Sequence, residues 1–238
     1  MTCAETAIRT AWYRSAWMPR VLPFAIFMAF IVVEELVEFL AGYGVIHPYE
    51  SLPMVLYPVK AFAAGAALLF CASNCSELRP GDLSKLPRTF VSVCTGLLVF
   101  VLWINLDFHF GAERKAFDPA LLESGLAMWA VIGFRLLGTV LIVPVMEELF
   151  WRSFFLRWLV DKEFTAVPEG LFTWPSFLIC SIMFGLEHHL VIAGVVAGAA
   201  YNLLYCRTKS IAQCILSHAV TNLALAVYVL STGQWRFW

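Results

Sequence analysis

The sequence predicts an all-α integral membrane protein, a polytopic bundle of seven to eight transmembrane helices in a single domain that covers residues 1–238. Composition supports this prediction, because 61% of the residues are hydrophobic and 14% are charged, against about 45–50% and about 25% in soluble domains. The apolar residues also form runs of about 20, the length that crosses a bilayer as a helix. The net charge of −1 and the lack of any basic cluster argue against a nucleic-acid partner.

The apolar runs divide the chain into an N-terminal three-helix part (about residues 21–106) and a C-terminal part (about 126–230). The predicted spans are residues 21–40, 54–72, 89–106, 126–146 continuing to 160, 172–188, 190–205 and 211–230. The fourth would be about 50 Å long as one straight helix, too long for a bilayer core of about 30 Å. Pro144 is expected to kink it, and the stretch beyond the kink could form a separate half-span, the eighth.

Charge in the loops predicts the orientation, because cytoplasmic loops carry an excess of lysine and arginine. With seven spans and the N-terminus inside, the inner side holds Arg9, Arg14, Arg20, Arg79, Lys85, Arg88, Arg157, Lys162, Arg207 and Lys209. The outer side holds only Arg114, Lys115 and Arg236. We therefore expect a cytoplasmic N-terminus and an outer C-terminus, whereas an eighth span would reverse the side of the C-terminus.

Adjacent glutamates interrupt the fourth apolar segment, at Glu147 and Glu148. Ionisable groups at bilayer depth cost roughly 2.5–3.5 kcal/mol each and usually serve function. Arg152 lies four residues after Glu148 and on its face, so these two are expected to form an ion pair. This would leave Glu147 unpaired, as a candidate general base. The alternative is a structural cluster of all three at the kink.

Two further motifs place histidines on the last helices. Phe184 and His188 share a face, and His188 falls at a polar turn that also holds Glu187 and His189, either of which could be the active neighbour. A capping role for His188 is the alternative. We expect this turn to lie below the far membrane surface, with His188 inside the protein.

His218 and Asn222 share a face of the last span, flanked by Ser217 and Thr221. Their alternative role is hydrogen bonding between helices, which such residues provide in membranes. Packing does not require a carboxylate together with two histidines and an amide. The three motifs together therefore predict an enzyme that works inside the membrane, with Glu147, His188, His218 and Asn222 around one polar cavity open to the inner side.

Other buried charges fit structural roles better. Lys60 is expected to pair with the acidic group of the first span, Glu34, Glu35 and Glu38. Arg135 lies mid-span and could pair with a carboxylate of the fourth helix or with Glu34, in a structural or a functional role. The seven cysteines show no zinc spacing. Although histidines and carboxylates suit zinc, they come singly from three helices, and we expect no metal and no cofactor.

Taken in order, Glu147-Glu148-x-x-x-Arg152, Phe184-x-x-x-His188 and His218-x-x-x-Asn222 resemble the signature of the CPBP family. That family contains the CAAX prenyl endopeptidases and bacterial relatives called Abi or bacteriocin-processing proteins. The resemblance covers about residues 126–230, the expected catalytic core. Residues 135–158 and 232–238 are similar to a bacterial subgroup found alongside exosortase sorting systems.

The resemblance implies a glutamate-type intramembrane peptidase. It implies that Glu147 and His188 activate a water, that His218 and Asn222 hold the oxyanion, and that Glu148 pairs with Arg152. The sequence departs from the family pattern at Glu187, where relatives have a small residue, and in the short stretch that follows His188.

The resemblance also implies a substrate and a location. The substrate would be a membrane-embedded or lipid-anchored protein or peptide, with the lipid bilayer and an exosortase-type sorting system as further partners. The location would be the bacterial inner membrane. A non-catalytic immunity or scaffold protein of the same fold, and a transporter that uses the buried charges as an ion path, are the competing functions.

Overall fold

The computed structural model describes residues 15–47, 52–106 and 125–237, and all regular secondary structure in these ranges is helical. Seven main helices follow one another: α1 (Met18–Gly42), α2 (Leu52–Cys71), α3 (Leu86–Asn105), α4 (Gly125–Trp158), α5 (Trp174–Leu186), α6 (Val191–Thr208) and α7 (Ile211–Thr232). The prediction of an all-α membrane helix bundle is therefore confirmed.

Five helices of the described part are long and apolar enough to cross a membrane, namely α2 together with its extension to Asn74, α3, α4, α6 and α7. The predicted fifth span, residues 172–188, is shorter than expected: α5 has 13 residues, or about 20 Å of helix. This is less than a bilayer core of about 30 Å. The depth of the turn after α5, which carries His188, stays a prediction, and a helix of this length is compatible with a turn below the far membrane surface.

The fourth helix runs without interruption for 34 residues, Gly125–Trp158, so the predicted separate half-span does not exist. Wide π-helical turns at Gly138–Ile142 and Leu149–Phe155 flank the short α-helical segment Val143–Glu148. The first of them directly precedes Pro144. A π turn adds one residue to the hydrogen-bonded ring and accommodates a proline, which lacks the backbone donor, without ending the helix. Such turns often mark functional sites.

Small residues bring α5 and α6 into close contact. A Cβ atom added to Gly194 of α6 would lie 2.9 Å from Cα of Gly185 on α5, and one added to Gly198 would lie 3.1 Å from Cβ of Phe184. Alanine at position 194 would therefore push the two backbones apart, and alanine at position 198 would require its neighbours on α5 to shift by a few tenths of an ångström. This packing fixes the Phe184 motif against α6, as small residues do in membrane proteins generally.

Buried ion pairs tie the N-terminal helices to the rest of the bundle. Arg20, at the start of α1, donates to Glu77 at 2.6 Å, and Glu77 also accepts a bond from Ser153 of α4. Lys60 of α2 donates to Glu34 of α1 at 2.9 Å, as the sequence predicted. Both pairs are at least four-fifths buried, so they fix the register of α1 and α2.

Candidate active site

Three charged residues of α4 form the buried centre of the site. Glu147 is 5% exposed, while Glu148 and Arg152 are fully buried. Arg152 Nη1 donates to Glu148 Oε1 at 3.1 Å, which is the ion pair expected from their spacing. The guanidinium group also donates from Nε to Asn202 Oδ1 at 3.1 Å and from Nη2 to the Gly198 carbonyl at 3.3 Å. The hydrogen-bond partners of Arg152 thus lie on both α4 and α6.

His218 of α7 lies between the two glutamates. Its Nδ1 is 2.9 Å from Glu148 Oε1, and its Nε2 is 4.0 Å from Glu147 Oε2. A carboxylate paired with Arg152 can only accept hydrogen bonds, so Nδ1 of His218 must carry the proton. In the neutral form, Nε2 then has a lone pair directed towards Glu147. The imidazole also stacks on Tyr201, with 5.0 Å between ring centres.

His188 lies in the turn after α5 and contacts three groups. Its Nδ1 is 2.7 Å from the carbonyl oxygen of Phe184, one helical turn earlier. Its ring packs against that of Phe184 at 4.7 Å and against the edge of Trp103 at 5.3 Å. Because a carbonyl only accepts, Nδ1 carries a proton here as well. The capping bond suggested as the alternative is thus present, and Nε2 remains available for a second partner.

His189, the neighbour that the sequence left as an alternative, has a different partner. Its Nε2 lies 3.2 Å from the carbonyl oxygen of Arg236. Both histidines line the same cavity. His188 packs against Phe184 of its own motif and against Trp103, whereas His189 connects the turn to the segment after α7.

Asn222 donates from Nδ2 to the carbonyl oxygen of Thr139 on α4, at 2.7 Å. This carbonyl lies in the π turn, in which the N–H of Val143 bonds to the carbonyl of Gly138, five residues earlier. In the same pattern Thr139 would require the N–H of residue 144, which is a proline and has none. Asn222 therefore satisfies a carbonyl that Pro144 leaves without a backbone donor.

All four predicted catalytic residues line one cavity of about 160 Å³. Its walls are formed by Trp103, Arg135, Thr139, Val143, Glu147, Phe184, His188, His189, Ala197, Tyr201, His218, Thr221, Asn222, Leu225 and Phe237. Oε2 of Glu147 is buried and accepts no hydrogen bond from the described residues. Glu147 Oε2 has almost no accessible surface, so a water can enter the 4.0 Å gap between this atom and His218 Nε2 only when one of the two side chains moves.

The cavity extends from the middle of the bundle, at Glu147 and His218, to the end where α3 and α7 end. Trp103 is near the last residue of α3, His188 follows α5, and Phe237 follows α7. Arg20 and Glu77 lie at the opposite end, which loop charge predicts to be cytoplasmic. An N-terminus inside would thus place the Phe237 end of the cavity on the outer side. The cytoplasmic N-terminus and the cavity open to the inner side both stay predictions, and this placement shows that they do not agree with each other.

Several residues of the site were missed in the sequence. Tyr201 stacks on His218, and its hydroxyl donates to Thr221 at 2.7 Å. Asn202 accepts from Arg152 and donates from Nδ2 to Ser181 at 3.0 Å. Trp151 donates from Nε1 to Glu187 at 3.0 Å. A fully buried asparagine in an apolar helix was the one available signal.

Arg135 forms part of the cavity wall. Its guanidinium lies 4.9 Å from the centre of the Tyr57 ring, and the Tyr57 hydroxyl donates to the Arg135 carbonyl at 3.4 Å. The described residues hold no group of three or more His, Cys, Asp or Glu side chains that could bind a metal. The prediction that no metal or cofactor is needed remains untested.

Comparison with known protein families gives a match to type II CAAX prenyl endopeptidase Rce1-like proteins over residues 128–224. Residues 128–224 are thus similar to Rce1-like proteins. This Rce1-like segment runs from α4 into α7 and contains all three motifs. Comparison with curated proteins and with solved structures gave no significant match. The segment identifies a CAAX-type protease family, and the apolar helices identify an integral membrane protein.

Proposed function

We propose that the protein is a glutamate-type intramembrane endopeptidase that hydrolyses a peptide bond of a membrane-associated protein or peptide. One observation carries the proposal most directly. Within the Rce1-like segment, the buried Oε2 atom of Glu147 faces Nε2 of His218 across 4.0 Å on the wall of a cavity. A carboxylate in such a place can bind a water and accept its proton.

In the proposed reaction, Glu147 takes a proton from the water while the water oxygen attacks the carbonyl carbon of the substrate. The carbonyl oxygen becomes an oxyanion, which the second N–H of the Asn222 amide can reach because only one is committed to Thr139. The proton on Glu147 then passes to the amide nitrogen as the peptide bond breaks. The products are one carboxyl and one amino terminus, and Glu147 returns to its starting state.

The bond between His218 and Glu148 changes the role expected for His218. Neutral His218 cannot donate from Nε2, because Nδ1 holds its only proton. It can donate to the oxyanion only as an imidazolium. The positive charge would then lie between two carboxylates, and together with Arg152 it would balance their charge. We therefore propose that His218 acts as a charged donor and not as a neutral one.

His188 is proposed to hold the same water through Nε2, because Nδ1 is committed to the Phe184 carbonyl. Glu148 and Arg152 do not line the cavity and are proposed to orient His218. Phe184 separates the two histidines, with ring centres at 4.7 Å from His188 and 6.2 Å from His218. The aromatic packing limits the rotation of both imidazoles.

A non-catalytic role is the second candidate, favoured by the bonds of His188 and Asn222 to backbone carbonyls. Residues that only complete backbone hydrogen bonding would serve a scaffold or immunity protein equally well. A membrane-embedded or lipid-anchored substrate, the bacterial inner membrane and an association with an exosortase-type sorting system are proposals that rest on the resemblance.

The test is a comparison of terminal peptides in membranes that contain the wild-type protein or the Glu147→Gln variant. Glutamine keeps size and hydrogen bonding but removes the base, so cleavage products should be present only with the wild type. Glu38→Gln is the matched control, because Glu38 is an exposed glutamate of α1. Identical products from wild type and Glu147→Gln would reject the proposed peptidase.

A further inference from the structure

The segment Gly233–Phe237 folds back from the end of α7 onto the cavity. Gly233 has φ of +69°, a left-handed conformation that ends the helix and reverses the chain. Arg236 is exposed, whereas the adjacent Phe237 is only 3% exposed and lines the cavity that also contains Glu147. We call residues 233–237 the strap. It runs along the surface and places one aromatic side chain inside.

Side chains of the turn after α5 and of α7 form hydrogen bonds with the strap. His189 Nε2 lies 3.2 Å from the Arg236 carbonyl oxygen, and Gln234 Nε2 donates to the Tyr228 hydroxyl at 3.0 Å. The Phe237 ring packs on that of Tyr228, with 6.0 Å between centres. His189 is next to His188, so the strap is tied to the turn that carries a proposed catalytic residue.

The cavity around Phe237 has both a polar and an apolar wall. Glu147, His218 and Asn222 supply polar groups, while Trp103, Val143, Ala197 and Leu225 supply apolar surface. A peptide substrate must place its carbonyl near the polar groups, and the neighbouring side chain then faces the apolar surface. Pockets of this composition select large apolar side chains and are completed by a few polar groups.

We propose that Phe237 occupies, from within the chain, the subsite that receives a large apolar side chain of the peptide substrate. This inference rests on the proposed peptidase function and specifies its substrate class. Substrate must displace Phe237 before it binds. The apparent affinity for substrate is reduced by the fraction of molecules in which the strap is open. An aromatic side chain of this size would keep about 90–99% of molecules closed, which weakens binding about 10- to 100-fold.

Binding of a labelled peptide tests the proposal without requiring hydrolysis. The probe is the pentapeptide Gly-Gln-Trp-Arg-Phe, the sequence of the strap, and its control ends in alanine. Affinity for each peptide is measured for the purified wild type and the Phe237→Ala and Phe172→Ala variants in detergent. Phe172→Ala is the matched control, since Phe172 is exposed and lies at the opposite end of the bundle. The Phe237→Ala variant should bind the probe about tenfold or more tightly than the wild type or Phe172→Ala.

Equal affinity of wild type and Phe237→Ala for the probe, or equal affinity of Phe237→Ala for probe and alanine peptide, would overturn the proposal. If Phe237→Ala does not fold, Gln234→Ala decides instead. This substitution removes the bond to Tyr228 and keeps Phe237, so it should favour the open strap. The Gln234→Ala variant should therefore bind the probe more tightly than the wild type, and unchanged affinity would overturn the proposal. Tight, selective binding by a protein that cleaves nothing would support the subsite and reject only the peptidase.

Discussion

The side-chain amide of Asn222 donates a 2.7 Å hydrogen bond to the backbone carbonyl of Thr139. The carbonyl needs this donor because the π turn of α4 pairs it with Pro144, which has no N–H. An amide group has two N–H bonds, and the second remains for the cavity. Asn222 is therefore placed for both of its alternative roles, as a link between helices and as an oxyanion donor.

Replacement of Asn222 separates these roles. Asn222→Ala should lower kcat by about 10²–10³ with little change in KM if the amide stabilises the oxyanion. Asn222→Asp should be at least as damaging, because an ionised carboxylate would face the Thr139 carbonyl and the oxyanion. Asn105→Ala is the control, since Asn105 also donates to a backbone carbonyl but is exposed. A lower melting temperature with unchanged kcat would leave only the link between helices.

Loss of Glu148 should destabilise the protein more than loss of Glu147. Glu148→Ala would leave Arg152 buried without its carboxylate and remove the partner of His218. Breaking a buried ion pair costs about 3–5 kcal/mol. Thermal unfolding of Glu147→Ala and Glu148→Ala in the same detergent measures the difference. A stable, inactive Glu148→Ala beside an active Glu147→Ala would mean that the two roles are reversed.

The bond between Trp151 and Glu187 should position His188. Trp151 lies one turn after Glu147 on the same face of α4, and its 3.0 Å bond to Glu187 ties the turn to that helix. Trp151→Phe keeps the ring but loses the donor, and a misplaced His188 should lower kcat about 10- to 100-fold. Glu187→Gln keeps an acceptor and should retain most activity. Equal losses in Glu187→Gln and Glu187→Ala would argue against positioning.

Acid should destabilise the protein through Glu77, which lies in the loop after α2. Burial disfavours its charged form, but bonds from Arg20 and Ser153 outweigh this cost and hold the pKa of Glu77 below its ordinary value of 4.5. A lowered pKa stabilises the fold above the unfolded pKa, and this contribution is lost as pH falls through the folded value. Below about pH 4.5, unfolding free energy should therefore fall more steeply in wild type than in Glu77→Gln.

Melting temperatures recorded in detergent between about pH 6 and about pH 3 measure this difference in slope. Glu163→Gln is the matched control, because Glu163 is exposed, and its slope should equal that of the wild type. Parallel curves for wild type and Glu77→Gln would show that Glu77 does not control the acid response.

Helical spacing predicted the local pairs of the site but not the contacts between helices. The position of Arg152 four residues after Glu148 was sufficient to predict their ion pair. The bond between His218 and Glu148 joins residues on α4 and α7, and no periodicity relates them. The proton on Nδ1 of His218, which this bond requires, therefore could not be predicted from the sequence, and the oxyanion role of His218 stays a prediction.

The course of α4 and the position of the cavity show a second limit. The kink expected at Pro144 stays a prediction, whereas the π turn before Pro144 and the bond from Asn222 to the Thr139 carbonyl were not predicted. The position of the cavity along the bundle depends on where each motif lies along its helix. The apolar runs do not give this position accurately, because a helix can be shorter than its apolar run, as α5 is.

The contacts of Arg152 constrain the order in which the protein can be built in the membrane. The guanidinium group donates hydrogen bonds to Glu148 on α4 and also to Asn202 and Gly198 on α6. Glu148 in turn accepts a hydrogen bond from His218 on α7. Ionisable groups cost roughly 2.5–3.5 kcal/mol each at bilayer depth. The ribosome makes α6 and α7 only after α4, so the polar half of α4 lacks these partners as it leaves the translocon. Lipid is an unfavourable environment for it until the last two helices arrive.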